Sequence, residues 1–293
     1  MSRDAPLTLG EAARSAHQAL SAAGIDDPGR NGRLLVAAAT GCSTGDIIAH
    51  PERQLSGGAS GRLAELIERR SAHEPLSRIL GEREFYGRRF ALSAATLDPR
   101  PDSETLIAVA LAIADREGWR DRPVRILDIG TGTGCLLLTL LAELPLASGV
   151  GTDISHEALA TAAENAAALG LAERATFAAH DVLDGVEGRY DLVVSNPPYI
   201  PSGDIAGLDR EVQDFDPRAA LDGGVDGLDI YRRIAAGLEG VQPRWVILEV
   251  GAAQADDVAC VLQKAFVKTR QAELTLHLDL GGHARCVALG LQS

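Results

Sequence analysis

Aromatic side chains make up only 4% of the 293 residues, so any core must rest on alanine, leucine, valine and isoleucine. Cysteine is sparser still. Cys42, Cys135, Cys260 and Cys286 lie far apart, with no C-x-x-C pair and no histidine at zinc-finger spacing. They read as idle thiols of a reducing compartment. The seven histidines form no H-E-x-x-H cluster, and no metal site is expected. No apolar run reaches the ~18 residues that span a bilayer. The first ten residues lack the apolar stretch of a secretory signal. A cytoplasmic protein with no membrane partner is expected.

Basic residues are also in short supply, with 28 Lys and Arg against 41 Asp and Glu. Residues 1–75 hold 8 basic and 9 acidic residues, 76–100 hold 5 and 3, and 101–293 hold 15 and 29. The last stretch is therefore −14. A duplex-binding surface neutralises phosphates with Lys and Arg, so no direct nucleic-acid partner is expected. What is plentiful is ordinary globular material, 46% hydrophobic and 24% charged. The length suggests one large and one small domain.

The pattern changes along the chain. Residues 1–75 read as short helices: Leu9 to Ala22, then Arg33 to Ala39 after a break at Gly24, Pro28 and Gly29, then Gly61 to Ser71 after Gly41 and Gly45. Residues 76–100 suggest a β-hairpin connector around Phe85-Tyr86-Gly87 and Arg89 to Leu92. From 101 to 293 strands and helices alternate. Asp102 or Ser103 could cap a helix running to about Gly118. Strands are expected over Val124 to Ile129, Gly149 to Ile154, Ala175 to Ala179, Leu192 to Ser195, Arg244 to Val250, Leu274 to Leu280 and Arg285 to Leu291. Seven strands with helices between them imply an α/β, Rossmann-like, mostly parallel sheet. Only Gly281 to Ala284 separate the last two, too few for a parallel crossover, so that pair must be antiparallel.

Two segments carry chemistry. In the first, the strand ending at Ile129 runs into Gly130-Thr131-Gly132-Thr133-Gly134 and then a helix, so backbone can approach a ligand at a helix N-terminus. The spacing is G-x-G-x-G, not the G-x-G-x-x-G of dinucleotide oxidoreductases. Asp153 ends the next strand, where a carboxylate can accept both hydroxyls of a ribose. Asp181, at the end of the third strand, could accept an adenine amino group while Val182 packs on the ring. The second segment is Asn196-Pro197-Pro198-Tyr199, closing the fourth strand. Its prolines stiffen the chain and remove two N–H donors. The Asn196 side-chain oxygen and the Pro197 carbonyl can then accept both protons of an NH2 group, and Tyr199 can stack on the planar group that bears it.

Together these residues resemble the class I methyltransferases with an Asn-Pro-Pro-Tyr motif. The flanks narrow the resemblance to protein-(glutamine-N5) methyltransferases that modify peptide chain release factors. Glu74-Pro75-Leu76, Ile79-Leu80-Gly81 and Glu84 to Gly87 match the connector of that family. Pro99 to Glu104 matches the start of its catalytic domain, and Pro217 to Leu221 and Gly227 to Arg232 match the segments after the core. Three positions depart from the family: Asp98 stands where an apolar residue is expected, Ser103 where threonine is usual, and Val182 where some relatives carry a large residue.

The resemblance implies an enzyme that uses S-adenosylmethionine, held by Gly130 to Gly134, Asp153, Asp181, Val182 and Asn196. Its substrate would be a release-factor glutamine, held by Asn196, Pro197, Pro198 and Tyr199, with Asn196, Pro197 and Tyr199 serving catalysis. The helical domain would recognise the substrate. Competing readings are an adenine or cytosine amino-methyltransferase acting on flipped bases, a methyltransferase for a ribosomal-protein glutamine, and a non-catalytic adapter of the translation machinery. From Ile200 to Ile230 eight acidic residues face only Arg210 and Arg218. That −6 segment would attract a basic protein loop and repel a phosphate chain.

Overall fold

The computed structural model describes residues 7–266 and 272–291. They divide into two compact units. One comprises the chain through Gly81 together with Arg210–Phe215, and the other comprises Glu82–Asp209 and the chain from Asp216 onward.

The first unit is helical: α1 (Leu9–Ala22), α2 (Pro28–Thr40), α3 (Thr44–Ala49), α4 (Ala59–Ser71) and α5 (Leu76–Leu80), together with the short α9 (Arg210–Gln213). Thr8 and Glu11 form a capping box that starts α1. Two expectations fail here. Pro28 and Gly29 do not break a helix but begin α2, because Asp27 caps it and proline is tolerated at the first helical position, where no N–H is needed. Gly45 likewise lies inside α3. Leu9, Leu20, Leu35, Val36, Ile47 and Leu63 meet in its core. Arg70 is only 6% exposed. Its guanidinium donates to Asn31 Oδ1 at 3.0 Å, to the Glu74 carbonyl at 2.9 Å and to Glu211 Oε1 at 2.7 Å.

The second unit opens with the hairpin β1 (Glu82–Phe85) and β2 (Arg88–Ala91). The following helix differs from expectation. Pro101–Ser103 forms a 3-10 turn, and α6 runs Glu104–Arg116 without a capping bond from Asp102 or Ser103. Ser103 is buried, and its hydroxyl is taken by a partner 93 residues away, Asn196.

The sheet contains β3 (Val124–Ile129), β4 (Ala147–Asp153), β5 (Ala175–Ala179), β6 (Leu192–Ser195), β7 (Trp245–Glu249), β8 (Ala272–Leu278) and β9 (Ala284–Leu291), in the order β5-β4-β3-β6-β7-β9-β8. β5 through β7 are parallel neighbours. β9 runs antiparallel to β8, as the short connection requires, and also antiparallel to β7. Alternate residues face opposite layers. Leu192, Val194 and Ile247 pack with α6 and α7 (Cys135–Glu143), while Val193, Val246 and Leu248 pack with α10 (Asp229–Val241) and α11 (Ala255–Phe266). Burial on both faces explains why these strands read as unbroken apolar runs.

Close packing leaves little slack at the centre. A Cβ at Gly149 would lie 2.4 Å from Leu137 Cδ1 and 2.9 Å from the Ile126 carbonyl oxygen. The backbone oxygen cannot swing aside. Gly149→Ala is therefore expected to destabilise the protein by about 1–3 kcal/mol, read as a lower midpoint in urea unfolding with an unchanged slope.

Candidate active site

The strand order reverses between β3 and β6, and ligand crevices of open α/β sheets form outside the strand ends at such a point. A cavity of about 370 Å³ lies there. Gly130 to Thr133 line it from the end of β3, Asp153 and Ile154 from β4, His180 to Val182 from beyond β5, and Asn196 to Pro198 from β6. The parallel registers bring these residues to one edge, because Ile129 pairs with Thr152 and with Ser195. Two of the expected residues stand back from the wall. Gly134 is the αL residue preceding α7, with Leu138 and Ala162 against it. Tyr199 packs against the α10 and α11 side of the sheet, and Gln254 donates to its carbonyl at 2.9 Å.

The glycine turn is held from two sides. Gly130 and Gly132 adopt φ of 69° and 54°, a region open to glycine. Asp153 Oδ2 accepts from the Gly132 N–H at 3.0 Å, and its Oδ1 accepts from Ser155 N–H at 2.9 Å. Ser155 caps α8 (His156–Ala168). Each carboxylate oxygen keeps a further lone pair. From the other side, Asn165 Nδ2 donates to the Thr133 carbonyl at 2.9 Å and to the Ala91 carbonyl at 3.1 Å, while its Oδ1 accepts from the Ala91 N–H at 2.8 Å. Asn165 thus ties hairpin, helix and turn together. In the sequence it reads as one polar residue in an alanine-rich helix, and nothing local marks it.

Beyond β5 the chain differs from expectation in detail. The strand stops at Ala179, two residues short of Asp181. Arg233 pairs with Asp181 Oδ2 at 2.9 Å, which leaves Oδ1 for another donor. Val182 sits at φ 59°, an outlier for a β-branched residue that costs on the order of 1–3 kcal/mol. Ile154 was not singled out in the sequence. It lines the cavity with 65% of its surface exposed, an apolar face that a flat ring would cover.

Asn196 is fixed from behind, its Nδ2 donating to Ser103 Oγ at 3.2 Å. Opposite, Arg100 pairs with Asp216 at 2.6 Å and holds the Pro217 to Ala220 wall. Ion pairing also tempers the acidic segment. Glu211, Asp214, Asp216, Asp222, Asp226 and Asp229 each pair with an arginine of their own unit. Only Asp204 and Asp209 have no ion-pair partner among the described residues.

Two buried carboxyls lie beneath the cavity. Asp128, 1% exposed, accepts from Thr131 Oγ1 at 2.7 Å, yet burial pushes its pKa up to about 7. Burial pushes Glu249 up to about 7 as well, against the polar side chain of Ser103 and the Arg285 charge nearby. A carboxyl that titrates higher folded than unfolded (~3.9 for Asp) favours the folded state while protonated. Stability supplied by Asp128 is therefore greatest below pH ~4 and is lost as pH rises to about 7. Asp128→Asn should flatten this slope, gaining up to ~4 kcal/mol at pH 8 relative to its effect at pH 4. Urea unfolding at the two pH values measures the difference.

Comparison with known proteins agrees with this architecture. Residues 11–81 match the PrmC N-terminal domain family, and residues 113–207 match the Methyltransferase small domain family. The release factor glutamine methyltransferase of Rhodospirillum rubrum is 44% identical over 286 residues, covering 97% of this chain and 85% of that protein. The enzyme of the same name from Agrobacterium fabrum is 47% identical over 249 residues, covering 84% and 86%. Among solved structures, the human Mettl16 catalytic domain in complex with an RNA hairpin superposes with a TM-score of 0.56 at 16% identity, covering 78% of this chain and 83% of that one. That likeness establishes the fold alone. With more than two fifths of its residues shared along nearly the whole sequence, the chain belongs to the release factor glutamine methyltransferase family.

Proposed function

We propose that this chain transfers a methyl group from S-adenosylmethionine to the side-chain amide nitrogen of the glutamine in the glycine-glycine-glutamine loop of peptide chain release factors. The observation that carries the reading is that one cavity wall holds both the glycine turn with Asp153 and the Asn196 to Pro198 segment. The residues fit the donor. At about 370 Å³ the cavity has the size of a small-molecule site, ~300–1,000 Å³. Asp153 offers lone pairs to ribose hydroxyls, Ile154 an apolar face to adenine, and Asp181 Oδ1 an acceptor for the adenine amino group. Val182, strained beside them, packs at the same ring.

The donor, once bound, supplies an electrophilic methyl on a sulfonium. An amide nitrogen is a weak nucleophile because its lone pair is delocalised, so the protein's task is to orient it. Asn196 Oδ1 and the Pro197 carbonyl accept a hydrogen bond from each of its two N–H groups and aim the nitrogen into the cavity. Pro197 and Pro198 hold that backbone stiff. As the nitrogen bonds the methyl and becomes tetrahedral, the same acceptors stabilise the positive charge that gathers on its N–H groups, until one proton is released to solvent. Tyr199 acts from behind, packing the loop instead of lining the wall. The helical unit is read as the substrate-recognition domain.

Incubating the protein with labelled donor and purified release factor, then mapping the label by mass spectrometry, tests the reading. Label on the loop glutamine is expected, and faster transfer to naked DNA or RNA would overturn it. A basic release-factor loop should also associate more slowly as salt rises. Since Glu211 is committed to Arg70, the variant for that experiment is Asp204→Asn with Asp209→Asn.

A further inference from the structure

Three of the six residues in Asn196-Pro197-Pro198-Tyr199-Ile200-Pro201 are proline. They fix φ at their own positions, and the residue before each is confined to extended conformations. What stays loose is ψ of Pro198 and the backbone of Tyr199. The prolines also remove half of the N–H donors by which the segment could tie itself down, so anchoring falls to its carbonyls.

Gln254 supplies a donor for one of them. It lies in the turn between β7 and α11. Because Ser195 pairs with Leu248 in parallel register, the chain leaves β6 and β7 at the same edge of the sheet. Gln254 Nε2 donates to the Tyr199 carbonyl at 2.9 Å and reaches the Gly227 carbonyl at 3.5 Å. The turn itself is fixed, since the Gln254 N–H donates to the Gly251 carbonyl and the Gln254 carbonyl accepts from the Val258 N–H, each at 2.9 Å. Turned over, the amide would set its oxygen against two carbonyl oxygens. In the observed orientation Oε1 is buried with no hydrogen-bond partner among the described residues. An unpaired buried acceptor costs stability, so packing alone does not account for this side chain. Two glycines make room for it. A Cβ at Gly251 would lie 2.6 Å from Oε1, and one at Gly227 would lie 2.5 Å from Nε2.

The next residues join the two walls of the cavity. Ile200 N–H donates to the Leu221 carbonyl at 3.0 Å, Gly223 N–H to the Ile200 carbonyl at 2.9 Å and Ser202 N–H to the Gly224 carbonyl at 2.8 Å. This short parallel ladder starts one residue after Tyr199 and one residue after the Pro217 to Ala220 wall.

We propose that Gln254 is a positioning residue for the substrate amide, holding the Tyr199 carbonyl so that Asn196 and the Pro197 carbonyl keep the spacing at which they grip the reacting nitrogen. The inference rests on the reading of those two groups as its acceptors. Gln254 does not line the cavity, so it acts only through the loop. Without Nε2, Tyr199 and ψ of Pro198 are released, and the Pro197 carbonyl moves with them. The donor-binding residues beyond β3, β4 and β5 are held by bonds of their own.

The test uses the full-length protein. Gln254→Ala should lower kcat toward release factor by roughly 10- to 100-fold, with the calorimetric donor Kd changed less than about twofold. It should also speed amide hydrogen exchange at Ile200, Ser202 and Gly223, while Val193 and Val246 within the sheet exchange as before. Gly251→Ala should do the same with the glutamine still present, because its Cβ displaces the flexible end of that side chain. Gln254→Glu keeps the shape, but offers only lone pairs once ionised and an O–H when protonated. Its kcat relative to wild type should match that of Gln254→Ala at about pH 9 and recover severalfold at about pH 6, a return that a merely structural role would not give. Wild-type kcat in Gln254→Ala, or unchanged exchange at Ile200 and Gly223, overturns the inference. Should Gln254→Ala not fold, a Gln254→Glu ratio that stays flat with pH overturns it. Absence of release-factor methylation by the wild type would count against the proposed function, and the exchange rates would still decide whether Gln254 holds the loop.

Discussion

Asn196→Ala is expected to leave a folded protein whose turnover falls by two to three orders of magnitude. The magnitude follows from what the side chain does. It supplies one of two acceptors that orient a weak nucleophile in a water-poor cavity, and removing a single preorganised hydrogen-bonding group of this kind costs on the order of 10²–10³ in rate. Stability should suffer less. The lost Asn196–Ser103 hydrogen bond, 3.2 Å in length, is worth about 1 kcal/mol net, and strand β6 ends before Asn196. Donor affinity should fall less than turnover, because Asn196 is only one of many residues lining the donor cavity. Single-turnover kinetics beside calorimetric donor binding separate the two quantities. Substantial methylation by a folded Asn196→Ala protein would remove the side chain from the mechanism.

Asp153→Ala should act on the other half of the site, weakening S-adenosylmethionine binding ten- to a hundredfold. Charge-assisted hydrogen bonds are worth roughly 1.5–3 kcal/mol, and the carboxylate is pre-aimed by the backbone N–H groups of Gly132 and Ser155. The same two bonds mean that the alanine variant also loosens the glycine turn. Asp153→Asn separates these effects. Its carbonyl oxygen can keep one backbone N–H, but its amide nitrogen must face a donor, so its affinity should lie between wild type and alanine. Unchanged calorimetric affinity in a folded Asp153→Ala protein would refute the assignment.

Much of this fold was readable before any coordinates. Strands β3, β6 and β7 are short apolar runs because both faces of a central parallel strand are covered, and their bounds came within a residue or two. The antiparallel end of the sheet followed from chain length alone, since four residues cannot carry a parallel crossover. Helix starts were less legible. Pro28 and Gly29 are breakers by residue type, yet Asp27 beside them turns the same residues into a beginning. Ser103 has the chemistry of a cap, and a distant partner claimed it.

The residues around Gly130 to Gly134 and Asn196 to Tyr199 declare themselves locally, because a tight turn and a stiff, donor-poor loop depend on neighbours in the chain. Polar support for those residues does not. Asn165 reaches Ala91 across 74 positions, and Arg100 reaches Asp216 across 116. Asp98, unexpected in the sequence, is buried with Arg83 3.7 Å away. The acidic run after Tyr199 is largely matched by arginines, of which Arg70, Arg100 and Arg232 lie outside it in the sequence. Backbone conformation and burial period are short-range properties and are written in order along the sequence. The partner of a buried polar group is chosen by whatever the packed elements bring within about 3 Å of it, and for Asn196 and Ser103 only the tertiary structure made that choice.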